Sequence, residues 1–333
     1  MKYLRLIPVA FLCIFAVNTL AASNIVWPPP PEKARISYEK SVMKAEDLGI
    51  SKGFFTKIWE FFAGAEENSL VKPFGIHIDA DKIYVTDMAQ KSVIVFDTKR
   101  ENFESIDGYK GQRFSSPIDV TTDEKGNIYI TDSVLQSLFI YNSDLDPIKK
   151  IHHPSSLLRP TGVAVDHVRD RIYVSDTLSS HIKVYKKDGT YIDNISRMGE
   201  GEGELNKPTY ITLDSRGNLY VADSMNRRVL MFNPDGEYIR RYGQSGDSIG
   251  SFSSPRGIAV DKFDNLYVTD TLFDAVQIFN SDGELLLVFG KRGVGDGEFV
   301  APQDISISKD GTIYVTDSYN MRIELFNMLE YQK

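Results

Sequence analysis

The stretch Gly217-Asn-Leu-Tyr-Val-Ala-Asp223 decides the fold, because a related segment occurs six times along the chain. Its tyrosine recurs at intervals of 45, 44, 47, 47 and 47 residues, and an aspartate follows each tyrosine three positions later. A period of this length is typical of stacked supersecondary units that bury a core between neighbours. The six tyrosines are Tyr84, Tyr129, Tyr173, Tyr220, Tyr267 and Tyr314.

Each repeat contains four short runs that are typical of β-strands. In the fifth repeat these runs are residues 255–261, 264–270, 275–279 and 283–290, and turn-forming residues separate them. The runs are rich in β-branched and aromatic residues, which favour extended structure. Four-stranded sheets repeated at this period predict an all-β, six-bladed β-propeller.

The repeat resembles a known family. Gly-Asn-(Ile/Leu)-Tyr-Val-(Thr/Ala)-Asp followed by Ser-x-Asn-x-Arg is similar to the NHL repeat, most fully in residues 217–228 and again in 312–322. The resemblance covers all six units, from about residue 70 to residue 330. Propellers built on Tyr-Trp-Thr-Asp repeats are the alternative, but this chain carries valine where they carry tryptophan, at Val85, Val174, Val268 and Val315.

The last repeat lacks a fourth strand, because the chain ends seven residues after Phe326. An unpaired sheet edge exposes a row of backbone donors and acceptors. Residues 35–42 alternate well enough to supply the missing strand, so we expect them to close the ring and the propeller domain to span residues 35–333.

The N-terminus resembles an export signal over residues 1–23. Lys2 and Arg5 precede an apolar run from residue 6 to 17, which is short for a membrane span. We therefore expect a periplasmic or extracellular protein, with an uncleaved membrane anchor as the alternative. Residues 24–34 follow as a proline-rich linker. The one cysteine, Cys13, lies in the apolar run, which excludes a disulfide framework.

The charge balance argues against nucleic-acid binding. The formal net charge is −8, and removal of Lys2 and Arg5 with the signal would make it −10. An acidic surface repels phosphate backbones unless a local basic patch is present. We expect a monomer whose partner is a protein or a small molecule, with a membrane contacted only through an uncleaved signal or the protein surface.

An insertion before the first blade has helical periodicity. Residues 51–63 predict one short amphipathic helix, with Trp59 among the aromatic residues of its apolar stripe. The helix either packs on the propeller's own apolar surface, or covers the channel mouth or docks a partner.

Departures from the repeat indicate a candidate ligand site. The first strand of each blade opens with Pro-x-Gly, but Asp119, Tyr210 and Asp304 replace the glycine in blades two, four and six. Arg256 and Gln303 follow the proline in blades five and six. If these five residues ring the channel mouth, on the face that carries the loops from strand four to strand one, they would orient a small polar ligand. Solvent exposure without a ligand is the alternative.

Apolar residues on hairpin tips indicate a partner surface. Leu135, Leu272 and Phe273 lie between the second and third strands of blades two and five, and with Trp59 they predict a protein contact. Packing beneath the predicted helix would explain them equally well.

No cofactor is predicted. The six recurrent aspartates are read as acceptors for turn amides, although a ring of carboxylates for a cation is conceivable. Histidines are few, and only His77 lies at an inner-strand position, so neither a zinc nor a calcium site is assigned.

These observations favour an exported propeller that binds a protein or a small ligand without chemistry of its own. Peptide-amidating lyases and lactonases are among the activities that the resemblance implies. The alternative is therefore a metal-assisted lyase or lactonase that uses His77, Asp119, Tyr210, Arg256 and Asp304 in the channel.

Overall fold

The computed structural model describes residues 25–50, 69–152 and 157–329. These residues form six antiparallel sheets, five of four strands and one of five, together with a two-stranded hairpin. Each repeat forms one sheet, in which the first strand is innermost and the other strands follow outward in chain order. The expected all-β, six-bladed propeller is therefore confirmed. The helix predicted over residues 51–63 lies outside the described residues.

The strands are numbered in chain order. Two precede the repeats: β1 Val26–Trp27 and β2 Ile36–Val42. Blade one contains β3 Pro73–Asp79, β4 Lys82–Asp87, β5 Ser92–Asp97 and β6 Asn102–Ile106. The hairpin is β7 Gly108–Tyr109 and β8 Gln112–Arg113. Blade two contains β9 Pro117–Thr122, β10 Ile128–Asp132, β11 Ser137–Tyr141 and β12 Pro147–Ile151.

The remaining blades follow the same plan. Blade three contains β13 Pro160–Asp166, β14 Arg171–Asp176, β15 His181–Lys186 and β16 Tyr191–Ile195. Blade four contains β17 Pro208–Leu213, β18 Leu219–Asp223, β19 Arg228–Phe232 and β20 Tyr238–Tyr242. Blade five contains β21 Pro255–Val260, β22 Leu266–Asp270, β23 Ala275–Phe279 and β24 Leu285–Phe289. Blade six contains β25 Pro302–Ile307, β26 Thr312–Asp317 and β27 Arg322–Met328. Three short 3₁₀ helices are Ala45–Leu48, Ser224–Asn226 and Ser318–Asn320.

The recurrent tyrosines hold neighbouring blades together. Tyr84 of blade one packs in one cluster with Val120 and Ile130 of blade two. Tyr220 of blade four packs likewise with Ile258 and Val268 of blade five. Burial of such rings provides much of the apolar contact between sheets, which explains why the tyrosine recurs in every blade.

The recurrent aspartates hold the loops of each blade. Asp87 is fully buried, and its Oδ2 accepts hydrogen bonds from the amides of Val71 and Lys72 at 2.8 and 2.9 Å. Its Oδ1 accepts from the amides of Ala89 and Gln90 at 2.9 and 3.0 Å. One carboxylate thus joins the connection before the first strand to the hairpin after the second. The interpretation of these aspartates as architecture agrees with the contacts.

The ring closes between the two ends of the chain. Strand β2 pairs antiparallel with β27, with Ile36 opposite Met328 and Val42 opposite Ile323. The innermost strands β25 and β3 also contact each other, as the other neighbouring innermost strands do. The N-terminal closing strand is therefore present where the incomplete last repeat required it.

Part of the segment assigned to a proline-rich linker belongs to the sheet. Val26 and Trp27 form β1, which pairs with Ile36 and Ser37 at the outer edge of blade six. The indole of Trp27 lies 5.8 Å from the ring of Phe289 and 5.7 Å from that of Phe326. This apolar contact explains why the chain pairs here instead of extending into solvent.

The seam between β2 and β27 contains a buried carboxyl group. Glu324 is fully buried, Ser41 donates a hydrogen bond to its Oε2 at 2.7 Å, and Arg322 lies 2.8 Å from its Oε1. Burial raises the pKa of Glu324 more than the contacts with Ser41 and Arg322 lower it, and the negative charges of Asp317 and Asp296 raise it further. The pKa of Glu324 is consequently raised from 4.5 to about 7.

The raised pKa of Glu324 predicts that the free energy of unfolding is larger in acid. Between pH 4.5 and 7 the folded protein holds a proton on Glu324 that the unfolded chain has lost, so stability falls as the pH rises. Urea unfolding from pH 4.5 to 8 should show that Glu324→Gln removes up to about 3 kcal/mol of this fall. Glu104→Gln, at an exposed position, should keep the wild-type slope. Equal slopes in all three proteins would contradict the prediction.

Candidate functional site

A cavity of about 380 Å³ occupies the central channel. All six innermost strands line it, from the third residue of the strand in blades two, four and six and from the fourth in blades one, three and five. It extends to the turns that join the first and second strands, where it contacts residues 166–169 and also Asp214, Ser215 and Gly217. The cavity therefore reaches the face opposite the loops that connect strand four to strand one.

The third residue of the innermost strand alternates between glycine and a side chain around the ring. A Cβ atom on Gly75 would lie 2.4 Å from the carbonyl oxygen of Ile118 and 2.9 Å from Asp119 Cα, and one on Gly257 would lie 2.4 Å from Asp304 Cα. Real side chains do not approach a backbone so closely. The glycines of blades one, three and five thus lie against the next blade, which itself carries the larger residue.

This alternation brings three of the predicted residues together. Asp119, Tyr210 and Asp304 all line the cavity, and each is at least nine-tenths buried. They come from blades two, four and six, so they approach the axis in an approximately threefold arrangement. The alternation was visible in the sequence as the three departures from Pro-x-Gly.

Backbone amides orient both carboxyl groups. Asp119 accepts from the amide of Val120 through Oδ1 and from that of Val163 in blade three through Oδ2, both at 2.8 Å. Asp304 Oδ2 accepts from the amide of Ile76 in blade one at 2.8 Å. Each carboxyl group therefore bridges its own blade to the next and remains in a defined position.

Burial shifts the titration of these groups. Burial is the main cause that raises the pKa of Asp119 from 3.8 to about 7, against the amides of Val163 and Val120 that lower it. The pKa of Asp304 is raised well above its usual range by burial and then by the charge of Asp119. The two acids are thus close enough to interact, and the pair holds a proton near neutral pH.

Tyr210 carries a hydroxyl group that is buried without a hydrogen-bond partner in the described part of the chain. Burial, followed by the charges of Asp304 and Asp119, raises the pKa of its phenol. Its ring lies 6.4 Å from that of Phe74. Phe74 belongs to blade one, which faces blade four across the channel, so the two rings approach each other across the axis.

The position of this aromatic pair corrects the expected geometry. The ligand hypothesis drawn from the sequence depended on the third-position residues ringing the channel mouth, on the face with the strand-four-to-strand-one loops. In the structure they are buried at the inner end of a cavity that reaches the opposite face. The physical reason is that alternate blades place bulky side chains at the axis, where they fill the narrow end of the channel.

Arg256 and Gln303 do not line the cavity. Arg256 is partly buried, its Nε has no hydrogen-bond partner among the described residues, and its charge lowers the pKa of Tyr210. Gln303 is 8% exposed and donates to the carbonyl of Ala301 at 2.9 Å. Both residues therefore lie near the site but behind its three central side chains.

The predicted partner residues differ in exposure. Leu272 is 66% exposed, Phe273 is half-buried, and Leu135 packs partly against the core between blades one and two. Trp59 lies outside the described residues. Leu272 belongs to a larger set that the sequence reasoning missed, an apolar ring formed by the second residue after the recurrent aspartate. Its members, each 50–69% exposed, are Val134, Leu178, Met225, Leu272 and Tyr319.

His77 lines the wall of the cavity. It shares a hydrogen bond between Nε2 and Thr122 Oγ1 at 2.9 Å, and Thr122 donates to Asp79 Oδ2 at 3.1 Å. Burial lowers the pKa of His77 from 6.5 to about 4, so the imidazole is neutral at pH 7. Within residues 25–50, 69–152 and 157–329, no three His, Cys, Asp or Glu side chains are grouped to hold a metal ion.

The fold and the channel define this protein as a six-bladed β-propeller with a cavity on its axis. The DUF5128 family, described as a 6-bladed beta-propeller, matches residues 161–242 and 258–333. A curated relative, the gluconolactonase of Zymomonas mobilis, is 28% identical over 170 residues, which cover 43% of this chain and 47% of that protein. The chain thus spans about half the length of this relative.

Solved structures share the fold at low sequence identity. An auxiliary nutrient binding protein from Bacteroides thetaiotaomicron is 14% identical with a TM-score of 0.62, covering 78% of this chain and 70% of its own. A streptogramin B lyase is 14% identical with a TM-score of 0.60, covering 78% and 94%. At such identity the similarity shows the fold alone. None of the helices in the described part of the chain has the length and apolarity needed to cross a membrane.

Proposed function

We propose that this protein is an exported, NHL-type binding module that holds a small polar ligand at the inner end of its channel. The observation that carries the proposal is that Tyr210 lines the cavity beside two buried carboxyl groups, while its buried hydroxyl has no hydrogen-bond partner among the described residues. An unsatisfied buried polar group costs about 1–3 kcal/mol. A ligand that bonds to the hydroxyl would recover this cost.

The N-terminal sequence, the fold and the shape of the cavity support a binding role outside the cytoplasm. Residues 1–23 have the composition of an export signal, and a protein of the same fold is described as an auxiliary nutrient binding protein. The cavity is concave, and its walls combine apolar side chains with convergent polar groups, as small-molecule sites generally do.

Thermal unfolding in the presence of a library of small polar metabolites tests this proposal. At least one compound should raise the unfolding temperature of the wild type and of Tyr319→Phe, an exposed control. The same compound should bind Tyr210→Phe about tenfold more weakly, because one hydrogen bond to a buried group is lost. If Leu272→Ser weakens binding and Tyr210→Phe does not, the ligand binds instead on the loop face, which carries the loops from strand four to strand one.

A partner surface on that loop face is a second proposal, favoured by the exposed apolar ring. Apolar side chains repeated around one face are unusual for a surface that contacts only water. Crosslinking in the native envelope should recover a protein that the Leu272→Ser/Phe273→Ser double variant loses. Retention of the partner by the double variant would remove these two residues from the interface.

A metal-assisted lactonase or lyase remains the alternative function, favoured by the match to a gluconolactonase. It would use His77, Asp119, Tyr210, Arg256 and Asp304. Stoichiometric zinc or calcium in the purified protein, with hydrolysis of a sugar lactone that Asp119→Asn abolishes, would support it. Wild-type rates of lactone hydrolysis in Asp119→Asn would argue against this site.

A further inference from the structure

We propose that the inner end of the channel recognises a primary ammonium group, held by Asp119, Tyr210 and Asp304. This inference rests on the proposed function and adds the chemical class of the ligand. The hydrogen-bond donors of an ammonium group match the acceptors of the channel in number and direction. An alkylammonium group carries three N–H donors and no acceptor. The channel offers three oxygen-bearing side chains from alternate blades, which approach the axis from three sides.

The carboxyl groups have acceptor capacity left for such a guest. A carboxylate has about four acceptor positions. Asp119 uses two of them for the amides of Val120 and Val163, and Asp304 Oδ2 uses one for the amide of Ile76. These amide bonds hold both groups in place before a ligand arrives. The unpartnered Tyr210 oxygen supplies the third acceptor.

The two acids have no cationic partner of their own within the described residues. Neither Asp119 nor Asp304 takes part in any salt bridge found there, whereas Asp223 pairs with Arg228 and Asp317 with Arg322. The fully buried Asp87 also lacks a salt bridge among the described residues, but four backbone amides donate to it, against two for Asp119 and one for Asp304. Buried charges are normally paired, because an unpaired charge in a low-dielectric site is costly. A ligand with a positive charge would provide the missing partner.

Other ligand classes fit the site less well. Calcium takes six to eight oxygen ligands, and magnesium requires a nearly octahedral set. Two carboxyl groups and one phenol fall short of that number, in agreement with the absence of a metal-binding cluster among the described residues. A neutral polyol would bond to the same oxygens but would leave the two acids unable to ionise together.

Proton release distinguishes the cationic ligand from the neutral one. Without a ligand, the acid pair retains a proton near neutral pH. An ammonium group stabilises both carboxylates, so binding transfers this proton to the buffer. Affinity should therefore rise between pH 6 and pH 8. Among the described residues, the other charged or titratable groups near the pair or along the cavity wall are His77, Asp79, Asp166, His167, Arg169, Asp214 and Arg256.

The experiment compares ethanolamine with ethylene glycol, because the two molecules differ by an ammonium group in place of a hydroxyl. Isothermal titration calorimetry at pH 6 and pH 8, in phosphate and in HEPES, measures affinity and the number of protons released. We expect saturable binding of ethanolamine that strengthens at pH 8 and is accompanied by proton release. Ethylene glycol should bind at least about tenfold more weakly.

Isosteric variants locate the site. Asp119→Asn and Asp304→Asn should each weaken ethanolamine binding at least about tenfold and reduce the proton release. Tyr210→Phe should weaken binding but keep the proton release, since both acids remain. Asp282→Asn, a control at a carboxylate that is 77% exposed, should behave as the wild type. Urea unfolding of each variant verifies that it is folded.

Two outcomes would overturn the inference. Equal binding of the two compounds, or binding without proton release, would leave the channel as a ligand site but exclude a cationic class. The absence of saturable ethanolamine binding would exclude the ammonium group, while any metabolite identified by the thermal screen would still support the proposed function.

Discussion

Replacement of Phe326 by alanine is expected to lower the free energy of unfolding by about 3–5 kcal/mol. Phe326 lies in the last strand of the last repeat and is fully buried. Its ring lies 4.9 Å from that of Phe289 and 5.8 Å from those of Phe299 and Tyr38. The substitution removes the centre of an aromatic cluster that joins the N-terminal strands to blades five and six.

Urea unfolding at constant pH measures this loss. Phe263→Ala is the matched control, because that ring is 56% exposed, and it should cost less than about 1 kcal/mol. Hydrogen exchange should show in addition that the amides of β2 lose protection in Phe326→Ala before those of blade three. If Phe326→Ala and Phe263→Ala destabilise equally, the aromatic cluster does not hold the ring closed.

Replacement of Arg322 by alanine should also cost about 3–5 kcal/mol, because it leaves two buried carboxylates without their cation. Arg322 is 3% exposed, and its Nε lies 3.1 Å from Asp317 Oδ2, while its Nη2 lies 2.8 Å from Glu324 Oε1. The guanidinium also donates to the carbonyls of Val294, Gly295 and Glu298 at 2.7–3.1 Å. One side chain therefore neutralises the seam and holds the loop before blade six.

Arg227→Ala provides the control for this prediction. Arg227 is exposed and donates a hydrogen bond to Ser245 at 3.3 Å, so its loss should change stability by less than about 0.5 kcal/mol. The destabilisation by Arg322→Ala should be smaller at pH 5 than at pH 8, because Glu324 is then protonated and needs no cation. A loss below about 1 kcal/mol at pH 8 would show that the buried pair is not a main support of the seam.

The role of Arg322 explains a pattern that the sequence showed without a reason. Asn226 and Arg228 of blade four hold the preceding loop through the carbonyls of Gly199, Glu200 and Gly201, as Asn320 and Arg322 do in blade six. Blade five lacks both residues, and Gln277 bonds to the carbonyl of Ser251 instead. In blade five, Gln277 thus holds the preceding loop in place of the missing Asn and Arg. Leu272, at the same hairpin, remains exposed.

The sequence by itself determined the number of blades, the four strands within each and the closure by residues 35–42. These features follow from short-range patterns, because alternation and turn residues specify each sheet locally and the repeat count sets the ring. It also singled out Asp119, Tyr210 and Asp304, since packing within one blade does not require them.

Only the tertiary structure decided where these side chains meet and which face their cavity reaches. Their convergence depends on contacts between different blades, such as Gly257 of blade five against Asp304 of blade six and Phe74 of blade one against Tyr210 of blade four. The sequence alone could not show that these side chains are buried and line a cavity that reaches the opposite face. Close packing of bulky residues from alternate blades is a property of the closed ring, which no single repeat contains.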